Sequence, residues 1–398
     1  MPASTRSRRS HTDADSTPNK KRKLEPEEPQ AVPAAAPELP ARGEFWFDEG
    51  NVVVAAVPAD AAHGRSFKVH SGVLGLHSEV FRRLLDGPAL AQLAEKSEGC
   101  PVLRTDDDGR DLGDMLDIIY RGGKSDWLDC QRPPINYTDF RAVVRIAVKY
   151  EVEEIVKEAK YRLSRIFCTD NIQNWCPDLQ PEGDKTPIIH DETDCIDLIH
   201  LVRALDIPSI LPLVLYACCN IDQLEKVAKG VEYEEELVRL NDDDMETYLI
   251  GRRALVDAAT TVMRTIVEFS INSSRPSPAC KVSSQCRLAF ETLTLAAVDA
   301  GWFQDPSAIG SLEVWLNEQQ VLPNSKPCAS CDASLRKTIN ERRQEAWCEL
   351  GTIFDVPEWP AGQAAAQEDA GAAQAAPPAQ AQPPSAPQPA QNPPAPVK

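Results

Sequence analysis

Long hydrophobic runs are missing from this 398-residue chain. Its most apolar stretch, Ile207 to Cys219, is interrupted by Pro208 and Pro212, and it is too short for a bilayer, which takes about 20 apolar residues in a row. The N-terminus is polar and basic and has no apolar core of a secretory signal, so the expected setting is intracellular, the nucleus first and the cytoplasm second. Positive charge is scarce: 42 Lys and Arg face 61 Asp and Glu, and the net charge of −19 disfavours a non-specific grip on nucleic acid. No P-loop, G-x-S-x-G, H-E-x-x-H or dinucleotide fingerprint occurs, and no Cys/His/Asp arrangement marks a nucleophile. An enzyme is not expected.

What is present falls into five stretches. Residues 1–43 are rich in Ser, Pro, Ala and charge and nearly devoid of large apolar side chains, which predicts a disordered basic tail. Within it, Lys20, Lys21, Arg22 and Lys23 follow Arg6, Arg8 and Arg9, the layout of a bipartite nuclear import signal, which is the expected reading, with a solvated basic patch as the alternative. Residues 361–398 form an Ala/Gln/Pro tail with too little apolar area to offset chain entropy. The 12 cysteines are read as reduced thiols in such a setting, and the glycosylation-like triplets at Asn136 and Asn272 as chance matches.

Residues 44–168 read as mixed α and β. Val52 to Val57 is a β-branched run after the turn Asp48 to Asn51, and Phe67 to His70 is a second strand. Val73, Leu76, Val80, Phe81 and Leu84 then recur at spacings of three and four, with Ser78 as N-cap and Glu79 as first-turn acid of a second short helix. Cys100 to Leu103 is a third strand. Asp106 to Gly109 turns the chain into a helix carrying Leu112, Met115, Leu116, Ile119 and Tyr120, which ends at Gly122 and Gly123. Phe140, Val143, Val144, Ala147 and Tyr150 form the next helical stripe. After a break near Glu151, Ile155, Val156, Ala159 and Leu163 continue it. Residues 169–189 are a polar, Pro-containing linker. Beyond it, stripes through Ile196 to Ile207, Leu211 to Tyr216, and Leu249, Leu255, Val262 and Ile266 predict helices.

The phrases around Asn51–Val54, Val69–Leu84, Cys100–Val102 and Ala147–Val152 stand in an order that resembles BTB/POZ domains, in the style abundant in mushroom-forming fungi. Ile210 to Tyr216 resembles a segment that follows the BTB domain in those relatives. The resemblance implies an α+β BTB domain over 44–168, a small sheet flanked by helices, then a mainly helical BACK-like region over 190–360. It also implies a homodimer built on Phe45, Trp46, Phe47, Val73 and Leu74, unless those aromatics are tucked into the domain's own core, and protein partners in place of nucleic acid or membrane. Two roles follow. In one, the chain is a substrate adaptor that docks a cullin-type ubiquitin ligase scaffold through helices near Leu112–Tyr120 and Phe140–Tyr150, with a client held by 190–360. In the other it is a nuclear transcription or chromatin co-regulator recruited through partners. His70, at the strand–helix junction, would satisfy backbone groups there.

One constellation carries metal chemistry. Cys280-x5-Cys286 is followed, after 41 residues, by Cys328-x2-Cys331. A C-x-x-C pair presents two thiolates at a separation that suits tetrahedral zinc, and a second pair can close the site. Structural zinc, free thiols and a redox-labile pair all fit the spacing, Cys348 is a substitute fourth ligand, and no other cofactor is indicated. His77 is expected to be exposed. His190 and His200 flank Cys195 near Asp191, Asp194 and Asp197 without sharing one helical face. The acidic runs Glu232–Glu236 and Asp242–Asp244 read as solvated loops or helix starts, or as a surface for a basic partner.

Overall fold

Val52, Val53, Val54, Ala55 and Ala56 are all buried, because their strand lies in the middle of a sheet covered on both faces. The computed structural model describes residues 38–122, 125–128, 134–169, 172, 187–234, 236–271, 277–319 and 326–360; Lys20 to Lys23 and the Ala/Gln/Pro tail lie outside them. Five strands form the sheet: β1 (Arg42–Trp46), β2 (Val52–Ala56), β3 (Arg65–Val69), β4 (Lys96–Ser97) and β5 (Cys100–Thr105), in the order β1-β3-β2-β5-β4. β2 pairs antiparallel with β3 in the register Val54 to Phe67, and parallel with β5 in the register Val54 to Leu103. β1 lies parallel to the other edge of β3.

Helices α1 (Ser71–His77), α2 (Glu79–Leu84) and α3 (Gly87–Gln92) follow β3, and α4 (Gly109–Arg121) follows β5. Ser78 caps α2 as its sequence position predicts, accepting a 3.0 Å hydrogen bond from the Phe81 amide. Asp108 caps α4 in the same way, and Gly122 ends it at a φ of 52°. After the short strand β6 (Ile135–Asn136) come α5 (Tyr137–Lys149) and α6 (Glu153–Ile166), separated by Glu151 at a φ of 52°. Phe81 stacks on Tyr150 with ring centroids 4.3 Å apart, which ties the α1–α2 pair to this bend. The expected helical stripe is only partly inward: Val73 and Val80 are half-buried and Phe81 is buried, but Leu76 is 79% exposed and Leu84 is also exposed. The two helices of the pair are too short for one stripe to run unbroken through the kink at Ser78.

The C-terminal end of the expected linker belongs to the fold. Ile188–Ile189 is a strand, β7, that pairs parallel with β6. From there α7 (Cys195–Ala204), α8 (Leu211–Cys219) and α9 (Leu224–Lys229) lead to a hairpin of β8 (Val231–Tyr233) and β9 (Glu236–Val238). α10 (Asp242–Ile271) is the spine of the C-terminal half. Against it pack α8, α11 (Ser283–Asp299), α12 (Ala308–Gln319), α13 (Ala329–Cys348) and α14 (Leu350–Ile353). Gly251 makes one of these contacts feasible, since a Cβ there would come within 2.2 Å of the Phe354 ring. Leu249, expected in the inward stripe of this helix, is exposed instead, while Leu255, Val262 and Ile266 are buried.

One hydrophobic core runs from Phe45 to Trp359, and the described residues from Pro40 to Pro360 form a single unit rather than two independent bodies. The join between α5 and α7 is polar and buried. Arg141 Nε donates to Asp197 Oδ2 at 2.9 Å, the Tyr137 hydroxyl donates to the same oxygen at 2.7 Å, and Arg141 Nη2 reaches Glu236 at 2.9 Å. The Tyr233 hydroxyl donates to Asp194 at 2.7 Å, and the Arg141 guanidinium lies 4.4 Å over the Tyr233 ring. The acidic runs are therefore not merely solvated: Glu236 and Asp244 are engaged, the latter accepting from Arg203 at 2.5 Å at the start of α10.

Candidate metal centre

Cys280, Cys286, Cys328 and Cys331 converge, each offering a sulfur that lies within 4.8 Å of the other three. Cys280 sits in a turn closed by its own amide, which donates to the Ser277 carbonyl at 3.0 Å. Cys286 lies in the first turn of α11. Cys328 caps α13, its carbonyl accepting from the amides of Cys331 and Asp332, both at 2.9 Å. Cys331 is in the first turn of α13. The Ser277 and Ser330 hydroxyls meet at 2.6 Å and join the two sides.

The spacing suits a metal better than a disulfide. Cys280 Sγ is 3.7 Å from Cys286 Sγ and 3.9 Å from Cys328 Sγ. A tetrahedron with metal–sulfur distances of about 2.3 Å has edges of about 3.8 Å, whereas a disulfide would bring two sulfurs to about 2 Å. Burial is uneven, since Cys280, Cys286 and Cys331 are buried and Cys328 is half-buried. Burial pushes the thiols of Cys286 and Cys331 up. The Cys331 amide, donating to the Cys328 sulfur, brings that thiol down to about 7, and the start of α13 favours its anion as well. The Cys328 amide itself donates to Cys286 Sγ at 3.2 Å, a bond that strengthens when the sulfur is a thiolate. The site can hold a metal ion.

The 41 residues between the pairs include α11 and α12, both of which pack on α10. Cys348 cannot serve as a fourth ligand. It ends α13, 17 residues beyond Cys331, which a helix converts into roughly 25 Å.

The other expected site residues are differently placed. Phe45 and Leu74 are buried, and Phe47 is half-buried with its ring 4.9 Å from that of Tyr120, so the surface drawn from Phe45, Trp46, Phe47, Val73 and Leu74 is not an exposed apolar patch. Trp46, Phe47 and Val73 are partly open, and the Arg42 guanidinium lies 4.1 Å over the Trp46 ring. Phe45 is an inward side chain of the edge strand β1 and is tucked into the domain's own core. Likewise Leu112, Met115, Leu116, Phe140, Val143, Val144 and Tyr150 are all buried, which leaves α4 and α5 a polar outer face. The His70 ring meets the Tyr120 hydroxyl at 3.2 Å instead of a backbone group. His77 is half-buried 3.4 Å from Glu154, and His200 reaches the Arg239 carbonyl at 2.8 Å. Missing from the sequence reading was the Arg141–Asp197 pair, whose one local signal is an arginine on an otherwise apolar face of α5.

No protein-family model, no curated protein and no solved structure matches this chain. Among the described residues no helix is long and apolar enough to cross a membrane.

Proposed function

We propose that the chain is a non-enzymatic protein-interaction scaffold with a BTB-type domain in its N-terminal half, a BACK-like helical C-terminal half and a structural zinc ion at the four cysteines. The observation that carries the reading is the order of elements: strands β1 to β3, three short helices, strands β4 and β5 of the same sheet, then α4, which packs on that sheet, and α5 and α6. Zinc is the ion of choice because four thiolates at tetrahedral spacing, three of them buried, form a closed structural set.

Self-association falls on α1 in this reading, where Leu76 is an exposed aliphatic beside half-buried Val73, rather than on Phe45 and Leu74. A cullin-type partner, if the chain is a ligase adaptor, would meet the charged outer face of α4 and α5, which carries Arg110, Asp114, Thr138, Asp139, Arg145 and Lys149. Sedimentation of the full chain, alone and with a cullin N-terminal domain, tests both. A dimer that Leu76→Asp converts to monomer supports the α1 interface, and a wild-type monomer overturns it. Co-sedimentation with the cullin supports the adaptor role, and its absence removes that role in favour of a scaffold without ligase.

A further inference from the structure

The four thiols are not equivalent in access or in freedom to move. Cys286 and Cys331 are buried in the first turns of helices, which fix their backbones. Cys280 is buried but lies in the turn before α11, outside any helix. Cys328 is the half-buried member, at the cap of α13, directly after Pro327. A small solvent-borne electrophile therefore meets one sulfur first, and a sulfur beside it, Cys280 at 3.9 Å, is carried by a turn outside any helix.

We propose that Cys328 is a modification site for hydrogen peroxide and that Cys280 is its resolving partner, so that the metal centre is a releasable clasp. This rests on the zinc reading above. The Cys328 thiolate attacks the peroxide O–O bond, giving a sulfenic acid at Cys328 and releasing hydroxide. The Cys280 thiolate then attacks the Cys328 sulfur, forming the disulfide and releasing the second hydroxide. Two thiolates lose two electrons and the peroxide gains them, and the two hydroxides released are neutralised by two protons from the buffer. Having lost two ligands, the zinc ion departs, and Cys286 and Cys331 take up protons. The short span between Cys280 and Cys328 closes by movement of the Ser277–Lys281 turn. The disulfide keeps that turn tied to α13, while Cys286 and α11 lose their link to it.

The test uses the full chain loaded with zinc. Metal content is measured first, then peroxide is added while a chromogenic chelator follows the ion, and differential alkylation with mass spectrometry maps the cysteines. Expected are release of the ion, a Cys280–Cys328 disulfide, and recovery of binding with reductant plus zinc. Cys328→Ser loses the peroxide-driven release. Cys280→Ser leaves a sulfenic acid at Cys328 that dimedone traps, a readout that does not depend on zinc affinity. Equal release from wild type and Cys328→Ser, or first oxidation at Cys286 or Cys331, overturns the proposal. A chain that holds zinc but does not surrender it to peroxide overturns the proposal alone, and a chain that binds no zinc overturns the zinc reading and the proposal together.

Discussion

Arg141 and Asp197 keep their charges almost wholly out of water, with side-chain exposures of 7% and 4%. Burial alone would lower the arginine's affinity for its proton; the hydrogen bonds to Asp197 and Glu236 outweigh it and raise that affinity. Removing one partner of such a pair strands the other, a loss of about 3–5 kcal/mol. Asp197→Ala should therefore lower the denaturation midpoint steeply, and a change within the error of wild type in urea unfolding would show that water replaces the carboxylate. Two nearby acids respond to pH with opposite signs. Arg145, hydrogen-bonded to Glu236, holds that carboxyl down at about 2, so its stabilisation is full above the ordinary carboxylate range and fades as pH falls toward 2. Burial, followed by the charges of Asp108, Asp114 and Glu234, lifts Asp111 to about 6. Its folded form holds a proton that the unfolded chain has already given up, so ionised Asp111 costs stability above pH 6. Asp111→Asn should raise the melting temperature at pH 8 and leave it unchanged near pH 4; equal effects at both pH values would rule out the carboxyl's charge as the cause.

At the scale of elements, one hydroxyl holds two junctions. Ser78 accepts from the Phe81 amide to start α2 and donates to the Tyr150 carbonyl, where α5 gives way to α6. Ser78→Ala removes a cap worth about 1 kcal/mol and orphans a buried carbonyl at a cost of about 1–3 kcal/mol more. Thermal melts should show that combined loss, and Ser78→Thr should recover most of it. This junction was legible in sequence because caps, turns and left-handed breaks are local: Ser78, Asp108, Gly122 and the Glu151 break all stand where the residue pattern puts them. Which apolar side chains face inward was less legible. Leu76 and Leu249 keep the helical spacing yet point outward, and Phe45 and Leu74 point inward, because packing partners far along the chain decide the face. The pairing of Ile135 with Ile188 and of Arg141 with Asp197 has no local signature at all. Both cysteine pairs of the metal centre could be read from spacing, but their convergence depends on how α11 and α12 pack on α10.

The whole molecule shares one core, and this sets what metal removal must do. α11 and α13 start at the thiol cluster and pack on α10, α10 packs on α8, α8 on α7, and α7 on α5 of the N-terminal half. Each layer covers apolar area that the next would otherwise expose. Loss of the clasp should therefore be felt along that series and not as a local fraying of residues 277–331. An ion bound only by the folded chain stabilises it by about 4 kcal/mol at a thousandfold excess over Kd. Calorimetry of the zinc-loaded chain should show one transition, and chelation under reducing conditions should move it to lower temperature as a single peak. If chelation instead splits off a small early transition while the main one stays in place, α11 and α13 form an appended module, and the continuous core does not couple them to the sheet. Wild type alone does not distinguish lost ligation from damage to the protein by the chelator. Cys331→Ser does, because it withdraws a buried ligand without any chelator. It should melt at the temperature of the chelated wild type and gain nothing from added zinc.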